Sequence, residues 1–507
     1  MSSSDDLYIL IKSLTKTEKR HFKLTSSIQA GEKKYLKLFD AIAKQEHYDE
    51  KAIINQFEKE RFIKNFSVAK AYLSESILNS LETFHSNTSI DGQLRKQISQ
   101  IKILITKKHY KLCLKMIIKA KKNASDFDFF TYDYELSTLQ DQVMQQLNEI
   151  GWLEKNHERL FKSEDITLEK LKNFQQYRKL VVKSIITGTK QDKLRDPKSF
   201  KKLTSKKKNK LLEYPSQALS ERARISYYFL NGAYYYRIND YIKSIGYFIE
   251  LKTFINSDDR LRKQYFHSLL YATNNIIATG TGMLSFKEIV QHLDELKNIR
   301  HRSQEENANV ELRYFAHLSH IFIVYKKFNE FNAAIPEMEK WVKSNIKYKL
   351  HFPHVLDLSI NISIIYFINR ELKACLGHLN NILNSEEKEI AYDKYSFIRI
   401  FYLIVHAELK NSDLLPSLVR STYRYYYKHK RLYKFETIVL DFIRKKLPDM
   451  SSKQTELTSY KELRSSLEKI IKDPNEKSAL HNFDLISWLD SKIEGRLFGE
   501  VLSEKKN

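Results

Sequence analysis

Between Tyr228 and Leu251 the chain reads YFLNGAYYYRINDYIKSIGYFIEL, and its order of large and small residues limits the fold more than any other stretch. Gly232 and Ser244 are small, as residues must be where two helices approach closely. Tyr228, Tyr235, Tyr241, Phe248 and Leu251 fall at helical spacing around them, which predicts that their side chains point into the contact. Asn239-Asp240 supplies a turn between the two halves, because short polar side chains tolerate left-handed backbone and bond locally. The expectation is one antiparallel helix pair.

If the pair is one unit of a stack, the residue opening its second helix should return at a fixed interval. A small residue should stand three places later and an apolar one seven places later. Tyr241 with Ser244 and Phe248 is followed by Phe286 with Ile289 and Leu293, then Phe328 with Phe331 and Ile335. Leu372 with Cys375 and Leu379 comes next, then Leu415 with Leu418 and Thr422. The intervals are 45, 42, 44 and 43 residues. Upstream, Tyr110 with Cys113, Ile117 and Ala120 lies 131 residues before Tyr241, close to three such steps.

The hairpin resembles a tetratricopeptide repeat in its large and small positions. The step of about 44 exceeds the roughly 34 residues of that repeat and lies within the range of HEAT-like units. The resemblance implies an all-α fold, an α-solenoid of tetratricopeptide-like antiparallel pairs with lengthened helices or loops. Eleven Gly and seven Pro in 507 residues fit this, being too few to turn a many-stranded sheet. Such a stack grows by adding units and needs no single large core.

The expected organisation has five parts: an N-terminal helical module over 1–90, a first helical-repeat block over 91–189, a Lys-rich linker over 190–216, the main solenoid over 217–448 and a C-terminal helical cap over 449–507. In the module, Thr15-x-x-Glu18 is a capping box. Val68, Tyr72, Ile77, Leu81 and Phe84 are expected near one face of its last helix. The module fits either a helix-turn-helix derivative or two further hairpins closing the stack. Ser285-x-x-Glu288 is a second capping box, where the spacing places a helix start. The cap carries Phe483, Leu485, Ile486, Trp488, Leu489, Ile493, Leu497 and Phe498, which are expected to fold back onto the stack.

The chain holds 86 Lys and Arg against 62 Asp and Glu, a formal charge of +24. The excess gathers in two places. Lys190 to Lys210 includes Lys201, Lys202, Lys206, Lys207, Lys208 and Lys210, which reads as a solvated linker or as an electrostatic arm for phosphate backbones. Tyr423 to Phe435 includes Tyr423, Arg424, Tyr427, Lys428, Lys430 and Arg431, mixing aromatic and basic side chains with no acid before Glu436. These are the ingredients of a base-stacking, backbone-neutralising surface. Equally, the tyrosines can pack between helices while the basic heads reach water.

Signatures of chemistry are missing. The sequence contains no phosphate-binding G-x-x-x-x-G-K-[ST] or G-x-G-x-x-G, no H-E-x-x-H, no serine elbow and no C-x-x-C. Gly280-Thr281-Gly282 reads as the end of a helix. His317 and His320 are three apart but have no third ligand nearby in sequence, so they read as packed or solvated. Cys113 and Cys375 occupy small-residue positions and read as buried apolar groups rather than a disulfide. No metal or cofactor is expected. The start, Met-Ser-Ser-Ser-Asp-Asp-Leu, lacks the parts of a signal peptide, and no apolar run reaches about 20 residues. A cytoplasmic chain without a membrane partner is therefore expected.

Leu10 to Lys23, Tyr35 to Asp40, Lys428 to Glu436 and Phe483 to Glu494 together resemble a group of uncharacterised bacterial cytoplasmic proteins. That resemblance implies that module, stack and cap belong together, and it assigns no activity. Two functional readings follow. The first is a non-enzymatic scaffold whose groove binds a protein or peptide, with an acidic partner matching the charge. The alternative is a nucleic-acid or ribosome-associated protein using the two basic segments.

Overall fold

A computed structural model describes residues 6–28, 33–86, 89–148, 150–190, 209–301, 303–345, 350–384, 392–429, 431–447, 452–473, 476 and 483–505. The described residues contain twenty-four α-helices and no strand. None of these helices is long and apolar enough to cross a membrane. The chain divides into two compact units, 1–174 and 175–507.

In the first unit, helices Asp6–Ser13, Lys16–Ile28, Lys33–Lys44, Glu50–Gln56 and Phe66–His85 enclose a core that includes Ile11, Phe22, Leu38, Phe39 and Leu73. Thr15 opens its helix as anticipated, since Glu18 N–H donates to Thr15 Oγ1 and Thr15 N–H to Glu18 Oε2. The inward stripe of Phe66–His85 is Phe66, Ala69, Leu73, Ile77 and Ser80. This corrects the expected face. Val68 is 65% exposed and Tyr72 41%, because steps of three and four starting at Phe66 put them on the opposite side. A second core, including Leu94, Ile101, Cys113, Ile117 and Leu136, lies among Ile90–Thr106, Tyr110–Asp126 and Phe130–Gln146.

The second unit contains five helix pairs in succession. They are Glu221–Arg237 with Tyr241–Asn256, Phe266–Gly280 with Phe286–Asn298, Gln304–Val324 with Phe328–Asn345, Phe352–Ile368 with Leu372–Asn384, and Tyr392–Glu408 with Leu415–Lys428. Every second helix opens at the residue singled out by spacing. The residues three and seven places later are buried in the first four pairs, whereas in the last pair Thr422 is buried and Leu418 is only partly so. First helices also meet one another, Phe266–Gly280 against Gln304–Val324 and the latter against Phe352–Ile368. Between these two, the buried Asn361 amide donates to Ser319 Oγ (2.9 Å) and Ala316 O (3.3 Å), satisfying polar groups that would otherwise be costly to bury.

The turns explain how so helical a chain manages with little glycine. Lys108, Asp128, Asn148, Asn239, Lys326, Arg370 and Lys410 all have φ between 55 and 65°. Around Asn239, Asp240 N–H donates to Tyr235 O and Asn239 N–H to Tyr236 O, the paired bonds that close a helix through a left-handed residue. Lys326 and Arg370 sit in the same pattern, so residues other than glycine repeatedly bear the left-handed cost.

The hairpin at 228–251 interlocks where expected. Ser244 Oγ–H donates to Gly232 O at 2.9 Å, with both residues buried. The Phe248 ring lies against Gly232, where a Cβ would come within 2.8 Å of Cε1 and Cζ. Tyr235 and Leu251 are buried as well, but Tyr228 and Tyr241 are only partly so, and Tyr227 takes the core position beside Leu230 and Tyr177. Ser285 and Glu288 form the anticipated capping box, and the backbone turns at Gly282 with φ 84°.

The terminal apolar residues fold back as anticipated, onto helices of the fourth and fifth pairs. Phe483 and Phe498 pack on Phe367, and Trp488 Nε1–H donates to Glu408 Oε1 at 2.8 Å. A Cβ on Gly499 would lie 3.1 Å from Ile368 Cγ2. Leu497, expected inside, is 46% exposed, because it caps the short helix Phe498–Glu504 from its outer side.

Candidate functional site

The basic and aromatic run after Tyr423 is divided by the helix that carries it. Tyr426 is fully buried and its hydroxyl donates to Ser396 O at 2.6 Å. Tyr425 turns toward the neighbouring helix, where the Arg399 guanidinium lies 4.3 Å from its ring centre. These two are seam residues, the packed alternative. Tyr423 and Tyr427 are 47% and 75% exposed, and Arg420, Arg424 and Lys428 are exposed with them. Positions 420, 423, 424, 427 and 428 recur at three and four residues, so all five share one face of Leu415–Lys428.

That face borders a shallow cavity of about 160 Å³. Its apolar floor is Val419 and Leu440, and Arg420, Tyr423, Arg424, Asp441 and Arg444 form the rim. Leu440 and Asp441 come from helix Lys434–Asp441, and Arg444 from the single π-helical turn Phe442–Lys446 that continues it. Asp441 is engaged, accepting from Arg444 and from Lys445 at 3.0 Å. Arg424 and Lys428 make no ion pair among the described residues, and the Arg420 Nε–H contact is a long 3.4 Å bond to Pro416 O of its own helix. The rim is thus a surplus of positive charge over an apolar floor.

Helix Lys434–Asp441 is held by a buried acid. Glu476 accepts from Lys434 N–H at 3.3 Å and Phe435 N–H at 3.2 Å, filling two of the donors a helix start leaves free.

Of the residues singled out in sequence, Tyr423, Arg424, Tyr427 and Lys428 are brought together. Arg431 is half-buried beyond them, its N–H donating to Tyr426 O. Lys210 is exposed on a separate short turn, Lys210–Leu212, whose Leu211 and Leu212 pack near Tyr177 and Tyr227. Lys201, Lys202, Lys206, Lys207, Lys208 and Lys430 lie outside the described residues. Arg420 and Arg444 were missed. Continuing the helical period one turn back from Tyr423 finds Arg420, whereas Arg444 depends on how the next helix folds back.

Both cysteines are free and buried, and burial pushes the Cys375 thiol up to about 12. Among the described residues no group of three or more His, Cys, Asp or Glu side chains is placed to hold a metal ion. No family model, no curated protein and no solved structure matches the chain.

Proposed function

We propose that this chain is a non-enzymatic scaffold, a tetratricopeptide-like α-solenoid with a step of about 44 residues, that holds a protein partner through an acidic segment. The observation that carries this reading is the cavity between Leu415–Lys428 and Lys434–Asp441. Its floor of Val419 and Leu440 accepts one apolar side chain, and the Arg420, Arg424 and Arg444 rim suits carboxylates on either side of it. Exposed tyrosine and arginine around a small apolar pocket are the residue types that dominate binding energy at protein interfaces. The helix starts recurring at 241, 286, 328, 372 and 415 support the repeat reading, as do the contacts between successive first helices.

A photo-crosslinking amino acid at Tyr427 or Tyr423 tests this in cells. The expected result is protein adducts that survive nuclease treatment and disappear when Arg420, Arg424 and Arg444 are changed to Glu. Adducts no different from those formed by a crosslinker at Tyr214, a remote and 62% exposed tyrosine, would overturn it.

One observation favours a second reading. Tyr427 stands 75% exposed between Arg424 and Lys428, as a side chain that stacks on a nucleic-acid base would. Crosslinks to RNA or DNA at Tyr427, with binding that weakens steeply as salt rises, would select that reading over the protein partner.

A further inference from the structure

A second cationic cluster lies within three successive first helices, away from the residues discussed above. Arg313, His317 and His320 project from one side of Gln304–Val324 at steps of four and three. His351 and His354 come from the start of Phe352–Ile368, and Lys394 from the start of Tyr392–Glu408. The His351 and His354 rings are 4.8 Å apart, and the His317 and His354 rings 6.5 Å. His317 is buried and donates from Nε2 to Asn274 Oδ1 at 2.9 Å, which fixes its orientation. His351 is exposed, so the cluster runs from the interior to the surface.

One cation of this cluster is left without a contact partner among the described residues. Arg313 Nε is buried without a hydrogen-bond partner, and the guanidinium makes no ion pair among the described residues. Glu306, on the same helix, influences it only through space. Asp357 is the acid nearest the histidines, but it is paired to Lys394 and stands 3.8 Å from His354. An arginine fork with a buried, unsatisfied N–H costs stability unless something accepts from it. Burial and the surrounding positive charge also keep His317 and His354 neutral, His317 down to about 3 and His354 to about 2.

We propose that Arg313, His317, His351, His354 and Lys394 form a binding site for a phosphate-type oxyanion. A tetrahedral anion offers the acceptor that Arg313 Nε–H lacks, and guanidinium pairs with it in two-point geometry. Its negative charge would let the neutral histidines take up protons. The charged and titratable groups facing the site are Arg313, His317, His320 and Glu306 on one helix, His351, His354 and Asp357 on the next, and Lys394 on the third.

The test is calorimetric titration of the full chain with inorganic phosphate, a nucleoside monophosphate and a phosphoserine peptide, each at constant ionic strength. Saturable binding is expected, weakened about ten- to a hundredfold in Arg313→Met, with the melting temperature of that variant in chloride unchanged or raised. His351→Gln, at the exposed edge, should weaken binding less and serves if Arg313→Met fails to fold. Binding of inorganic phosphate identifies a free anion, and binding only of the peptide or the nucleotide identifies an esterified one. No saturable binding of any of the three, or equal binding by wild type and both variants, would overturn the proposal.

Discussion

Gly232 and Gly246 lie 14 residues apart in one hairpin, and the same substitution should have opposite effects at the two. A methyl group on Gly232 would meet Phe248 Cε1 and Cζ at 2.8 Å and Cδ1 at 3.1 Å. Carbon atoms pack best at about 3.5 to 4.0 Å, so the overlap is at least about 0.7 Å. The ring has little room to move, being 1% exposed and in edge-to-face contact with the Tyr271 ring at 5.9 Å. Either the helices separate, stretching the Ser244 to Gly232 bond, or Phe248 leaves its rotamer. Overpacking of this kind costs about 1 to 3 kcal/mol, more than the up to about 1 kcal/mol that Ala adds over Gly in a helix. A Cβ on Gly246 would meet nothing within 4 Å beyond its own stretch of helix, so only the helical gain remains.

Gly232→Ala should therefore lower stability by about 1 to 2 kcal/mol, and Gly246→Ala should raise it by about 0.5 to 1 kcal/mol. Denaturant unfolding followed by circular dichroism gives the global change. Because arrays of helix pairs can open piecewise, native-state hydrogen exchange over 221–256 should report the local one. Shrinking the ring by Phe248→Leu should relieve the clash, so the double variant should be more stable than the sum of its two singles predicts. Two alanine variants shifting in the same direction, or strictly additive effects of Gly232→Ala and Phe248→Leu, would refute the interlock.

Three further outcomes are expected. Unfolded imidazoles titrate near 6.5 while His317 and His354 stay neutral in the fold to about 3 and about 2, so the unfolded chain binds more protons below 6.5. Stability should thus be intact above that pH and lost as pH falls, by about 1.4 kcal/mol per pH unit for each, or about 4 kcal/mol for both by pH 5. A urea midpoint that fails to drop between pH 7 and pH 5 would contradict the burial of both rings. Lys326→Gly and Arg370→Gly remove left-handed strain and should each raise stability by about 0.5 to 1 kcal/mol in thermal melts. Cys113 and Cys375, buried and with thiols pushed up, should react with a thiol reagent only after denaturant is added.

The helix starts were legible because the residue that opens Tyr241–Asn256 has large apolar counterparts at intervals of 42 to 45 residues, each opening a helix. Only at Asn239 did the turn residue itself signal left-handed backbone, whereas Lys326 and Arg370 adopt it without any such signal two places before Phe328 and Leu372. Side-chain direction was less legible. In a run such as Tyr425, Tyr426 and Tyr427 every member is chemically suited to seam or surface, and only the neighbouring helix decides. Ser396 O and Arg399 draw Tyr426 and Tyr425 inward, and Tyr427 has no such partner among the described residues. The same limit hid Tyr227, which reaches the core beside Tyr177, a residue 50 positions away in sequence, while Tyr228 packs partly buried on Phe254 of the paired helix.

The histidine cluster shows where local reading ends and what extends it. His317 with His320 looked isolated because the eye searches for a third ligand nearby in sequence. Where first helices meet, as Gln304–Val324 meets Phe352–Ile368, neighbours in space stand tens of residues apart in sequence rather than three or four. His351 and His354, also three apart, stand 34 to 37 residues beyond His317, and Lys394 is a further 40 beyond His354. Substituting Arg313 separates the two accounts of this alignment. An accident of packing leaves an unpaired guanidinium whose removal changes stability alone, whereas a built site loses an anion that phosphate titration detects. Because the two results differ in kind and not only in size, Arg313→Met beside wild type, melted in chloride and titrated with the same three phosphate ligands, decides between them.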